Sequence, residues 1–116
     1  EKHLVGIDGI KLSGATDNVS PVYWISVAIV DEKYGMDKDK LVEKFLKYNI
    51  DMRPIFYPVS EMPPFQDYLP ELDMSSMNPN SYRLSKYGIC LPNGNGLSSD
   101  DVKYVCDSFK EIIGYS

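Results

Sequence analysis

Hydrophobic positions change period several times along the chain, and each change marks an element. Residues 23 to 30 carry no charge, and they alternate Tyr23, Ile25, Val27 and Ile29 on one side against Trp24, Ser26, Ala28 and Val30 on the other. This predicts a strand that is apolar on both faces, the pattern of a central strand covered twice. A helix of the same chain, or another domain or subunit, would cover the Trp24 face. A looser alternation from Leu4 to Leu12 predicts a short edge strand at Ile10 to Leu12 within an irregular lead-in over residues 1 to 21. After a turn at Asp31 to Gly35, Asp37 is a natural N-cap for a helix ending near Tyr48. Its stripe is Leu41, Val42, Phe45, Leu46 and Tyr48 or Asn49, and its lysines and glutamates form a solvated face. Asn49 suits a left-handed stop, after which Ile50, Met52 and Pro54 alternate against Asp51, Arg53 and Ile55 as a second strand.

Periodicity then fails. From Arg53 to Phe65 four prolines fall in thirteen residues, which removes backbone donors and stiffens the segment without regular pairing. The connection from Tyr57 to Asn78 is 22 residues long, with one possible helical turn at Pro64 to Tyr68. Loops of that length inside a compact domain tend to be functional or disordered. Phe56, Tyr57, Phe65, Tyr68, Leu69 and Leu72 make this one too apolar for a solvated linker, with Asp73 to Met77 as its candidate mobile part. Regularity returns with Asn78-Pro79 opening a helix that carries Tyr82, Arg83 and Tyr87 and stops at Gly88. A short strand follows at Ile89 to Pro92, then a turn at Asn93 to Gly96. Ser98 and Asp101 form a capping box for a last helix whose stripe is Val102, Val105, Cys106, Phe109, Ile112 and Ile113. This order predicts one α+β domain, a small antiparallel or mixed sheet with helices packed on one face.

Composition narrows the function classes. With 116 residues, 43% apolar and 25% charged, the chain has the balance of a single soluble domain. A net charge of −5 with dispersed basic residues argues against a nucleic-acid partner. No apolar run approaches the roughly 20 residues that cross a bilayer, and the start lacks the order of a signal peptide, so the expected setting is the cytoplasm. Cys90 and Cys106 sit among apolar neighbours and read as free buried thiols. One histidine and two separated cysteines offer no metal-ligand spacing. No nucleophile with a base and no carboxylate pair at catalytic spacing is present, so no catalytic residue is assigned; Asp100-Asp101 occupy a helix first turn, where they favour the dipole. The absence of a start methionine looks like a cut inside a longer protein.

Four segments in fixed order carry a resemblance. They are Arg53-Pro54-Ile55-Phe56-Tyr57-Pro58-Val59-Ser60-Glu61-Met62-Pro63, then Asn78-Pro79, then Ser85-Lys86-Tyr87-Gly88-Ile89-Cys90-Leu91-Pro92, then Leu97 to Val102 with Tyr104-Val105-Cys106. Over roughly Val22 to Ile113 the chain resembles the C-terminal small domain of the DegT/DnrJ/EryC1/StrS aminotransferases, and most of all the perosamine-synthase group. The resemblance implies a fold-type-I, pyridoxal-phosphate-dependent enzyme, a homodimer, that moves an amino group from glutamate to a 4-keto sugar on a nucleoside diphosphate. It also implies that an N-terminal large domain outside this sequence holds the Schiff-base lysine and the cofactor. No lysine here matches that motif, so this chain alone is expected to bind no cofactor and to be inactive.

Residue chemistry laid over that frame gives the candidate substrate contacts. Arg53 offers a planar fork of donors for diphosphate or carboxylate, or else pairs with Asp51. Phe56 and Tyr57 would wall the sugar or base. Ser60 stands where many family members carry histidine. The competing reading is a free-standing α+β interaction or small-ligand regulatory module without catalysis.

Overall fold

The computed structural model describes residues 2–68 and 71–115. Four strands form one antiparallel sheet: β1 (Ile10–Leu12), β2 (Ser26–Val30), β3 (Arg53–Pro54) and β4 (Gly88–Leu91). Their spatial order is β1-β2-β4-β3, so the two longest strands lie at the centre. Helix α1 (Lys38–Leu46) joins β2 to β3. The short helices α2 (Pro63–Gln66) and α3 (Met74–Met77) lie in the long connection, followed by α4 (Pro79–Tyr87) and, after β4, by α5 (Ser99–Ile113). The α+β architecture anticipated from the sequence is the one found.

Register decides which side chains meet the helices. Ile10 pairs with Val30, Leu12 with Ala28, and Ala28 with Ile89, which puts these five on one face. Ala28, Val30 and Ile89 are fully buried there beneath α1 and α5. Leu41 and Phe45 from α1 and Phe109 from α5 meet over them, and the two phenyl rings are tilted by 55° with centroids 5.5 Å apart. On the other face, Lys11, Val27, Ile29, Cys90 and Arg53 share a side, and its apolar members are only half-buried.

Helix ends follow local chemistry. The Asp37 carboxylate accepts from the Lys40 amide, and Ser98 and Asp101 cap α5 reciprocally. Asn49 takes the left-handed conformation expected of it, with φ 56°. The lead-in is less irregular than its sequence suggests. Leu4 and Ile7 are buried in the core, and Tyr34 Oη donates to the Asp8 carbonyl.

Several expectations need correction. The strand expected from Tyr23 begins only at Ser26, because Tyr23 turns left-handed with φ 50° and Trp24 lies outside the ladder. Trp24 is 75% exposed, so among the described residues no helix covers it. Leu46, placed on the buried stripe of α1, is exposed, while Lys38, placed on the solvated face, is buried. Lys38 stands three residues before Leu41 and seven before Phe45, which is the spacing of the buried stripe. Asp73 to Met77 is a helical turn tied by Asp73, whose carboxylate accepts from the Ser76 amide and from both serine hydroxyls of α3. Gly88 does end α4 as expected, in extended geometry, but the strand expected from Ile89 begins one residue earlier, at Gly88 itself. A Cβ there would sit 2.6 Å from the Leu84 carbonyl oxygen and 2.7 Å from Ile55 Cγ2. Close approach fixes glycine at that point. Leu69, counted among the apolar residues of the long loop, lies outside the described residues.

Candidate functional site

Phe56 and Tyr57 are neighbours in the proline-stiffened segment just beyond β3. Each borders a different hollow. Phe56 shares the first, about 500 Å³, with Trp24, Asp51, Arg53, Cys90 and Asn93. Its far wall depends on the kink at Tyr23: Asn93 Nδ2 donates to the carbonyls of Tyr23 and Trp24, each at 2.8 Å, and holds the indole outward. Arg53 Nη2 donates to Asp51 Oδ2 at 2.8 Å, and both side chains are largely exposed. An ion pair so solvated is worth about 0–1 kcal/mol, too little to withhold the guanidinium from an anionic ligand. Cys90 lies at the floor, and burial pushes its thiol above the usual range, away from thiolate chemistry.

Tyr57 borders the second hollow, about 470 Å³, with Lys38, Glu61, Tyr82, Ser85 and Lys86 among its walls. The Lys38 ammonium lies 3.7 Å from the centroid of the Tyr57 ring and donates to Ser85 Oγ at 3.3 Å. A lysine at α1, an aromatic from the proline-rich segment and a serine in the last turn of α4 are thereby tied together.

Ser60 falls beside a third, smaller hollow of about 280 Å³ that also reaches Gln66, Asp73 and Tyr82. Its hydroxyl and that of Tyr82 lie 3.1 Å apart. Two serine hydroxyls and the Ser76 amide hold the Asp73 carboxyl down to about 2.

The four candidate residues therefore do not converge on one cavity. Arg53 and Phe56 do meet, and Tyr57 and Ser60 lie on the other side of the same rigid segment, bridged by Tyr82, which borders both of their hollows. Sequence reading passed over Trp24 and Lys38 as parts of a site. An aromatic at the end of a strand without charge, and a lysine at the spacing of an apolar stripe, were the signals that marked them. Among the described residues, no group of histidines, cysteines and carboxylates is placed to hold a metal ion.

Comparison with known proteins bears on this arrangement. The model of the DegT/DnrJ/EryC1/StrS aminotransferase family matches residues 1–110. The chain belongs to this family. It is 31% identical over 91 residues to a GDP-perosamine synthase of Vibrio cholerae, a match that covers 78% of this chain and 24% of that protein. It is also 31% identical over 111 residues to a dTDP-4-amino-4,6-dideoxy-D-glucose transaminase of Shigella dysenteriae, covering 96% of this chain and 29% of the relative. In fold it is similar to a sugar aminotransferase of Streptococcus pneumoniae in its apo form, with a TM-score of 0.83 at 19% identity over 97% of this chain and 28% of that one. The PMP-form of that protein gives a TM-score of 0.82 at 17% identity, with the same coverage. The chain thus spans about a quarter of the length of the relatives it matches.

Proposed function

We propose that this chain is the small-domain portion of a pyridoxal-phosphate-dependent aminotransferase that transfers an amino group from glutamate to a nucleotide-linked 4-keto sugar. In this reading it supplies one wall of the substrate site and is inactive alone. The observation that carries the proposal is the one-sidedness of the molecule. One sheet face is closed by α1 and α5, whereas Trp24, Phe56, Tyr57 and Tyr68 are 75%, 66%, 52% and 80% exposed around the prolines. Exposed aromatics in such number mark a surface that meets something. A free-standing module would be expected to close both faces. The relatives are three to four times longer than this chain. In this reading an N-terminal large domain supplies the cover, and the intact enzyme is a homodimer.

The wall has groups suited to the ligand. Arg53 can place its donor fork against a diphosphate, and Trp24 and Phe56, which border the same hollow, offer aromatic faces for a base or sugar ring. Tyr57 and Ser60 add hydroxyls on the adjoining side. The cofactor is assigned elsewhere in the protein. When bound, pyridoxal phosphate supplies an electron sink for amino transfer. Its site needs a reachable lysine, a carboxylate for the ring nitrogen and a phosphate cradle. Here the one buried lysine among the described residues is held against Tyr57 and Ser85, and the carboxylates that border its hollow, Glu32, Asp39 and Glu61, are exposed. That donor set does not fit the group, so this chain's share is binding and orientation.

The test is an amination assay with the encoded protein at full length, glutamate as donor and nucleotide-linked 4-keto-6-deoxy sugars as acceptors. We expect glutamate-dependent formation of an amino sugar nucleotide, and none from the 116-residue chain. Turnover by the chain alone, or none by the full-length protein with any such acceptor, would sink the proposal.

A further inference from the structure

Lys38 has no role in the reading above, and its surroundings are unusual for a structural lysine. It is 5% exposed at the first position of α1, where the helix dipole is positive and favours a carboxylate, not an ammonium. Among the described residues no carboxylate oxygen lies within 4 Å of its Nζ. Of its three donors one finds Ser85 Oγ, and the Tyr57 ring lies against the charge. A buried ammonium is normally paired with an acid. This one instead lines a hollow open to solvent that Arg83 and Lys86 also border.

We infer that the hollow beneath Tyr57 is an oxyanion site, with Lys38 as its fixed charge and Ser85 as the partner that aims it. The ligand class is a small anion with phosphate or carboxylate oxygens. Tyr57 forms the lid side, and because its ring holds the ammonium in place, little side-chain ordering remains to be done on binding. Exposed Glu32, Asp39 and Glu61 also border the hollow. They disfavour a large polyanion lying across the mouth and admit a small group that reaches the floor. The site does not depend on the aminotransferase reading. Within it, the anion would be either the diphosphate of a sugar nucleotide or a carboxylate of an amino donor.

The experiment is an NMR titration of the isotopically labelled chain at constant ionic strength. Sodium diphosphate and glutamate form separate arms, and sodium chloride is the control. Saturable shifts are expected at the Tyr57, Ser85 and Lys86 amides. The Lys38 ε-methylene should also move, because the Tyr57 ring current acts on it. Whichever arm saturates at the lower concentration identifies the source as phosphoryl or carboxylate. Binding should weaken roughly tenfold or more in Lys38→Met, be largely kept in Lys38→Arg, and tighten severalfold in Glu61→Gln. No saturable shift with either anion, shifts matched by chloride, or unchanged binding in a folded Lys38→Met protein would overturn the site and leave Lys38 as a packing group. Should Lys38→Met not fold, the wild-type Lys38 ε-methylene decides: movement together with Tyr57 supports the site, and a stationary signal overturns it.

Discussion

The helical face of the sheet and the proline-rich side both carry large apolar residues, with opposite fates for them. On the first, Phe45, Leu41, Ile89 and Phe109 are fully buried against one another. On the second, Phe56, Phe65, Tyr68 and Leu72 remain between 44% and 80% exposed, and the backbone is held mainly by turns within a few residues. Both sides spend apolar surface, but only the first recovers it within the chain. The difference teaches that the second side is shaped for contact, and that its residues should matter to binding far more than to folding.

Stability measurements should separate the two sides most widely. Phe109→Ala removes a ring packed on Phe45 and should cost about 3–5 kcal/mol in urea unfolding. Phe56→Ala should stay within about 0.5 kcal/mol. A cost above about 2 kcal/mol at Phe56 would mean that the loop is core after all. Gly88→Ala tests the join between the sides, since its Cβ would press on a backbone carbonyl and on Ile55; a loss of about 1–3 kcal/mol is expected. A neutral result would show that β4 and Ile55 can shift apart.

Arg53→Ala sharpens the comparison from the binding side. In the full-length protein it should weaken sugar-nucleotide affinity roughly tenfold while leaving the unfolding midpoint in place. Unaltered affinity would leave Arg53 as the partner of Asp51 and nothing more. The smallest effect concerns α3. Asp73 is held at about 2 in the folded chain, against 3.8 unperturbed, so its contribution is complete above about pH 4 and fades as the pH falls toward 2. Amide exchange at Ser75 and Ser76 should accelerate over that window while the amides of α5 stay protected. Acceleration as the pH rises through the same window, beyond the intrinsic rate, would contradict the assignment.

The closed side was legible in the sequence because local rules and packing agree there. The Asp37 cap, the Asn49 stop, the Ser98 and Asp101 box and the α5 stripe from Val105 to Ile113 each follow from side-chain chemistry within one or two turns, whereas Val102, read as the start of that stripe, is 40% exposed. Errors arose where a distant contact overrode a local pattern. Alternation runs smoothly through Tyr23 and Trp24, yet Asn93, some 70 residues on, captures their carbonyls and ends the strand. Lys38 looked solvated by residue type, although its spacing with Leu41 and Phe45 places it inward. The segment from Arg53 to Ser60 could be picked out as rigid and well equipped. That Phe56 and Tyr57 open on different hollows, and which partners wait in each, is not local information, because Trp24 and Lys38 are brought there by the fold.

The central claim is that the exposed aromatic side is one half of an interface and site completed by the rest of the protein. Hydroxyl-radical footprinting of Trp24, Phe56, Tyr57 and Tyr68, in the 116-residue chain and in the full-length protein, tests it most directly. Heavy labelling of all four is expected in the chain and strong protection in the full-length protein, deepened at Trp24 and Phe56 by a sugar nucleotide. Equal labelling of these residues in both proteins would contradict it.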